Sequence, residues 1–237
     1  MVKIFSIEGS IGSGKSTLIR ELKQKLDTDW LFVLEPIAEW NDIKDNKGEN
    51  ILTKFYKDQQ KYAFSFQMMA YISRLARLKQ IIKKNPGAII ITERSIFADR
   101  HVFAKMLYDD NKIEEVNYII YLKWFDEFIE EVKQDGIIYL QVTPETCYNR
   151  VQKRDRDGET ISLEYLNSCH KYHEKWLAGE KNVLLLDGEQ DFENNILTLG
   201  ELWKKINRFI NHTKWTSLGV GEMEEEDNLE WKEISHC

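Results

Sequence analysis

Five short apolar runs constrain the fold most: Lys3–Glu8, Trp30–Glu35, Ala88–Thr92, Ile137–Val142 and Asn182–Asp187. Each is rich in Ile, Val, Leu or Phe. Most lack the polar alternation of a strand with one wet face, as expected of parallel strands covered on both sides. Helical periodicity fills the stretches between them, at Ser16–Leu26, Tyr56–Lys84, Glu114–Lys133, Pro144–Arg156, Leu163–Leu177 and Leu197–Asn211. Strands that alternate with helices join through right-handed crossovers, so the expected class is α/β, a five-stranded parallel sheet flanked by helices. Ligands of such sheets bind beyond the carboxyl ends of the strands. At 237 residues, with no internal repeat and no linker, the chain reads as one domain over residues 1–213. An acidic, flexible tail is expected at 214–237, and Asn41–Asn50, polar and without an apolar stripe, reads as mobile.

Charge narrows the partners. The formal net charge of −7 argues against a broad nucleic-acid footprint. From Lys214 onward seven acidic residues face two lysines, so −5 of that total sits in the tail. The remainder is close to neutral and leaves room for a local positive cluster around an anionic ligand. Three cysteines, Cys147, Cys169 and Cys237, form no spacing pattern, and an odd count suits a reduced compartment. Cys169, His170 and His173 lie on an amphipathic helix, and nothing completes a tetrahedral metal set around them. No stretch approaches the roughly 20 apolar residues of a membrane span. The amino terminus enters a strand at once, so no targeting peptide is expected and the cytoplasm or nucleus is the expected compartment.

Chemistry enters at "GSIGSGKS", Gly9, Ser10, Ile11, Gly12, Ser13, Gly14, Lys15 and Ser16, followed by Thr17. It matches GxxxxGK[ST] between a strand and an amphipathic helix. Glycines let successive backbone N–H groups turn inward around phosphate oxygens, at a helix amino terminus whose dipole favours anions. Lys15 would reach the terminal phosphates and the Ser16 hydroxyl would ligate Mg²⁺, so a nucleoside triphosphate is the expected ligand. Which reaction follows must be read at the ends of the other strands.

Strand two ends in "LEPIAEW", where Pro36 bars continuation and leaves Glu35 at the ligand-facing rim. That carboxylate either orients a hydroxyl attacking the γ-phosphoryl group and takes its proton, or is a strand-ending group paired with a lysine. On the next helix Gln67 and Arg74 are seven apart and share a face with Tyr71 between them. With Phe64 and Met68 nearby they either read a nucleobase edge or form the polar margin of ordinary helix packing. At the third strand, "AIIITERSIFADRHVF" crowds Glu93, Arg94, Asp99, Arg100 and His101 against a buried run. In "NRVQKRDRDGET", Arg150 and Arg154 share a helical face, which alone suggests a basic, solvated helix end.

The chain resembles the deoxynucleoside kinases of the deoxycytidine and deoxyguanosine kinase group. The likeness runs from the cradle at Gly9–Thr17 through "LEPIAEW", "FSFQ…SR", "ERS", "DR.VFA", "YLQVTPETC" and "LEYL", to about Asn211. It implies a P-loop kinase fold with an arginine lid, Mg²⁺-assisted phosphorylation of a deoxynucleoside 5′-hydroxyl by ATP, and a homodimer. By position it makes Glu35 the base and Gln67 the reader of the base edge. It puts Tyr56 at the sugar 3′-hydroxyl and stacks Phe103 on the base, with Trp40, Phe64 and Met68 lining the pocket. Arg94 then steadies the migrating phosphoryl group, and Glu93 positions Mg²⁺ together with Ser16. Asp99 partners Arg74, and Arg150, Arg154 and Arg156 form the lid. The acidic residue for the 3′-hydroxyl is Glu159 or Asp157. Ala70, Arg74 and Asp99 resemble the branch that uses deoxycytidine or purine deoxynucleosides rather than thymidine. Two rivals are a non-catalytic relative of the same fold, which would have lost its catalytic set, and a nucleoside monophosphate kinase, which would need further basic groups for its acceptor.

Overall fold

A computed structural model describes residues 2–25, 29–129, 132–156 and 159–217, with side chains through residue 213. The expected acidic tail beyond Ser217 and the alternative sugar ligand Asp157 lie outside the described residues.

Strand β1 (Lys3–Glu8) leads through the cradle into helix α1 (Lys15–Lys25), and β2 (Leu31–Val33) follows. Three helices come next: α2 (Ile37–Asp42), α3 (Ile51–Lys57) and the long α4 (Gln59–Lys84). Strand β3 (Ile89–Glu93) runs into a short α5 (Ile96–Ala98), a π-helical turn at Asp99–Ala104, α6 (Lys105–Asp109) and α7 (Glu115–Ile129). Strand β4 (Gly136–Gln141), α8 (Pro144–Arg154), α9 (Leu163–Leu177), β5 (Val183–Asp187) and α10 (Ile196–Ser217) complete the chain.

The five strands form one all-parallel sheet in the order β2-β3-β1-β4-β5, as the apolar runs predict. Alternate residues of each strand enter different layers, which explains the missing polar alternation. Phe5, Ile7, Ile91, Ile138 and Leu140 meet α1 and α10 through Leu18, Leu22, Leu202, Ile206 and Phe209. On the opposite face Ile4, Val33 and Ile90 meet α4 and α7 through Tyr71, Leu75, Leu78, Tyr121 and Phe125. Tyr71 also donates its hydroxyl to the carbonyls of Trp124 and Phe125, tying α4 to α7 rather than facing a ligand.

Three expectations about elements need correction. The predicted helix Tyr56–Lys84 is two helices. Asp58 (φ −147°, ψ 81°) ends α3 and caps α4, its carboxylate accepting from Lys61 N at 3.1 Å. Asn41–Asn50 is ordered rather than mobile. Asp45 accepts from Lys47 N and Glu49 N and pairs with Lys54 at 2.7 Å, while Lys44 bridges to Asn50. Strand two is shorter than Trp30–Glu35, because its one neighbour, β3, pairs only with Leu31–Val33. Among the described residues no helix is long and apolar enough to cross a membrane.

Candidate active site

The carboxyl ends of β1, β2 and β3 open into a cleft of about 710 Å³. Its floor is the cradle. Gly12 sits at φ +84°, and a Cβ there would lie 2.5 Å from the Cys147 carbonyl oxygen, so the first turn of α8 packs directly on the loop. Lys15 folds back into the loop, donating to the carbonyls of Gly9 (3.0 Å) and Ser10 (2.8 Å). Burial, with the nearby Arg94 charge, lowers its ammonium to about 8. The Ser16 hydroxyl donates to Glu93 Oε1, and Glu93 Oε2 accepts from Glu35 N at 3.4 Å. Ser16 and Glu93 thus present adjacent hard oxygen donors beside the cradle lysine, a donor set that suits Mg²⁺.

"Glu-Arg-Ser" has a local logic that the residue types alone do not give. Glu93 ends β3. Arg94 then takes a left-handed backbone conformation (φ +63°), uncommon for a residue with a side chain, and donates its N–H to Ile7 O at 3.0 Å. Ser95 caps α5, its hydroxyl accepting from Ala98 N at 3.2 Å. Successive strand residues point to opposite faces, whereas this turn brings Glu93 and Arg94 to one cleft. The π-helical turn that follows carries Asp99 and Phe103 to the same place.

Glu35 lies at the centre. Its carboxylate accepts from Arg74 Nη2 and, at 2.9 Å, from Arg94 Nε. Burial works to raise that carboxyl, but the charges of Arg74, Arg94 and Lys15 outweigh it and hold it at about 2. Arg74 also donates to Asp99 Oδ1 at 2.6 Å, so one guanidinium joins both carboxylates. Burial raises Asp99 to about 6 although Arg74 and Arg94 oppose it. Arg74 stands over Trp40 (4.9 Å to the ring centre) and Arg94 over Phe103 (4.5 Å). Four buried polar atoms of these cleft residues have no protein partner: Gln67 Oε1, Asp99 Oδ2, Arg74 Nε and Arg94 Nη1. Buried polar groups are nearly always satisfied, so such atoms mark where a ligand's polar groups belong.

Most predicted site residues line this cleft together: Glu35, Trp40, Tyr56, Gln67, Arg74, Glu93, Arg94, Asp99, Phe103 and Glu159, with Ile11, Gly12, Gly14, Lys15, Ser16 and Thr17 of the cradle and Arg150, Arg154 and Arg156; Gly9, Ser10 and Ser13 lie behind that wall. Arg150 braces the cradle, donating to Ser13 O (3.1 Å) and Gly188 O (3.0 Å). Arg154 and Arg156 both reach Glu159. Burial and the Glu159 charge push the Tyr56 phenol up. Phe64 and Met68 do not line the cleft and pack instead into the layer against α7. Phe66 lines it instead, beside Ala70, which the sequence already singles out. Helical spacing anchored on Gln67 and Arg74 predicts this swap, since positions −1 and +3 from Gln67 lie on the Arg74 side and −3 and +1 on the other. Sequence reading also missed Tyr165 of α9 and the loop from Glu189 to Glu193, which close the cleft near the cradle. The loop carries no motif; only its place at the carboxyl end of a parallel strand could have flagged it.

Comparison with known proteins points the same way. The family model described as "Deoxynucleoside kinase" matches residues 5–211. A mitochondrial deoxyguanosine kinase of Xenopus laevis is 35% identical over 88% of this chain and 90% of its own length. A probable deoxycytidine kinase of fowlpox virus is 38% identical over 88% of each chain. Human deoxycytidine kinase is 36% identical over 89% of this chain and 92% of its own.

Proposed function

The chain belongs to the deoxynucleoside kinase family, and from that premise we propose that it transfers the γ-phosphoryl group of ATP to the 5′-hydroxyl of a deoxynucleoside. The observation that carries this reading is the position of Glu35, an ionised carboxylate fixed by Arg74 and Arg94 in the cleft that also holds Lys15. Glu35 accepts the hydrogen bond of the attacking hydroxyl and takes its proton. A carboxyl held at about 2 is a weak base. The proton therefore moves late, when the bond to phosphorus is largely formed, as a loose phosphoryl-transfer transition state allows. Arg94 and Lys15 stabilise charge on the phosphoryl oxygens. Ser16 and Glu93 would hold Mg²⁺, which when bound neutralises part of the donor's charge. Arg150, Arg154 and Arg156 close over the donor and exclude water, and the Glu189–Glu193 loop borders the donor base.

On the acceptor side Gln67, Arg74 and Asp99 read the base, Phe103 stacks on it, and Tyr56 and Glu159 hold the sugar 3′-hydroxyl. Asp99 Oδ2 is an unsatisfied acceptor. An exocyclic amine satisfies it, whereas thymine has none. Leaving such a group unpaired costs about 1–3 kcal/mol. Deoxycytidine or a purine deoxynucleoside is therefore preferred to thymidine by roughly 5- to 150-fold in kcat/KM. The test follows labelled phosphate from ATP to each of the four deoxynucleosides. Failure of Lys15→Ala to abolish transfer, or a thymidine preference, overturns the proposal.

The active form is a homodimer. Val116, Ile119, Ile120 and Trp124 form an exposed apolar row along α7, and a second copy covers it. Sedimentation of Trp124→Glu as a monomer is the expected result. The catalytic unit is residues 1–213; deleting 218–237 leaves kcat and KM unchanged. Cys147 and Cys169, free and buried, suit a reducing compartment.

A further inference from the structure

Glu8 is the last residue of β1, fully buried and absent from the cleft wall. A polar side chain with no exposure needs a partner, because burying one without a hydrogen bond is costly. Its Oε1 accepts from Ser95 N at 2.8 Å, and its Oε2 has no partner. Ser95 directly follows Arg94, whose backbone stands at φ +63°. Two hydrogen bonds from β1 therefore bracket that turn: Ile7 O takes the Arg94 N–H, and the Glu8 carboxylate takes the next one. Both anchors come from consecutive residues of the central strand, which is paired on both sides. Strained backbone persists only where its surroundings over-determine it.

We infer that Glu8 is a positioning residue, which holds the left-handed turn at Arg94, and with it the Arg94 guanidinium, in the catalytic arrangement through the Ser95 amide. Without this acceptor the Ser95 N–H is orphaned and the turn relaxes toward ordinary backbone, which withdraws Arg94 from Glu35 and the phosphoryl group. A misplacement of about 1 Å in such a site costs on the order of 10²-fold in rate.

This inference rests on the proposed role of Arg94, so the experiment separates the two. Steady-state kinetics are measured for Glu8→Ala, Glu8→Gln, Arg94→Ala and the double variant Glu8→Ala/Arg94→Ala, with thermal melting as a check on folding. Glu8→Ala is expected to lower kcat by roughly 10²-fold with both KM values within about threefold, because Arg94 acts chiefly in the transition state. Glu8→Gln keeps an acceptor at the same place and is expected to recover most of that loss. In the Arg94→Ala background, Glu8→Ala should change kcat by less than about threefold. Should Glu8→Ala not fold, Glu8→Asp, which retracts the acceptor by one methylene, is expected to lose kcat in the same way. Glu8 variants with wild-type kcat, equal losses in the Ala and Gln variants, or a full further loss without Arg94 would each overturn the inference. An active Arg94→Ala would instead sink the catalytic role given to Arg94.

Discussion

Glu35→Gln removes one negative charge from between Arg74, Arg94 and Lys15, and its effect on stability can be worked out. Burial pushes the Glu35 carboxyl up, the three cations pull it down, and the balance leaves it at about 2 against an ordinary 4.5. At about 1.4 kcal/mol per pKa unit, the folded protein favours the ionised form by roughly 3 kcal/mol. The sign follows from the direction of the shift. A depressed carboxyl contributes stability that is complete above its unfolded value and is lost as pH falls through its folded one. Glu35 therefore contributes on the order of 3 kcal/mol at pH 7, and less than half of that remains at pH 3. Gln contributes none of this and leaves two buried guanidinium groups facing each other, a defect that ordinarily costs about 3–5 kcal/mol. Urea unfolding of both proteins between pH 3 and 7 reads the difference. The gap should be about 3 kcal/mol at neutral pH, or a melting point lower by about 6–12 °C for a chain of this size, and should narrow by more than half at pH 3. The variant's phosphoryl transfer should fall by roughly 10²–10⁴-fold, the usual contribution of a positioned base. A gap below 1 kcal/mol at pH 7, or one that does not shrink in acid, would refute the electrostatic account of the site.

Asp99, raised by burial to about 6 against the pull of Arg74 and Arg94, should lose its proton-accepting role below that pH. The kcat/KM of an amino-bearing deoxynucleoside is expected to decline through pH 6, and Asp99→Asn to abolish that limb and narrow the preference over thymidine. Lys15, lowered to about 8 by burial and then by Arg94, should discharge in the empty cradle as pH rises past that value. Donor kcat/KM then falls above pH 8, while kcat falls less, because bound phosphates favour the ammonium. Gly12→Ala places a methyl 2.5 Å from the Cys147 carbonyl at φ +84°. It should cost at least about 1–3 kcal/mol in denaturant unfolding and raise the donor KM.

The layers of the sheet were legible because burial on two faces leaves an unmistakable trace: Phe5 and Ile7 serve one layer while Ile4 serves the other, so no polar residue interrupts the run. The cradle was legible because phosphate binding by backbone needs glycine at fixed spacings. What escaped has a common cause. The break at Asp58, the left-handed Arg94 and the burial of Glu8 are all set by bonds to residues distant in sequence or by caps that a periodic pattern runs straight over. Periodicity also gives a stripe without its phase. Phe66 lines the cleft where Phe64 and Met68 are expected, because several large side chains compete for either side of α4, and only Gln67 and Arg74 together choose between them.

Net charge hid the site for a related reason. Eight basic and seven acidic side chains line the cleft, so composition there is nearly neutral. Arrangement, not excess, makes it receptive to an anion. Glu35 and Asp99 share Arg74, and Glu93 sits on Ser16 beside Lys15. Arg154 and Arg156 are both drawn to Glu159. Lys15 and Arg150 are held by backbone carbonyls, and Arg154 and Arg156 by the Glu159 carboxylate. A cleft arranged in this way can present positive charge to an anion without a basic surface around it.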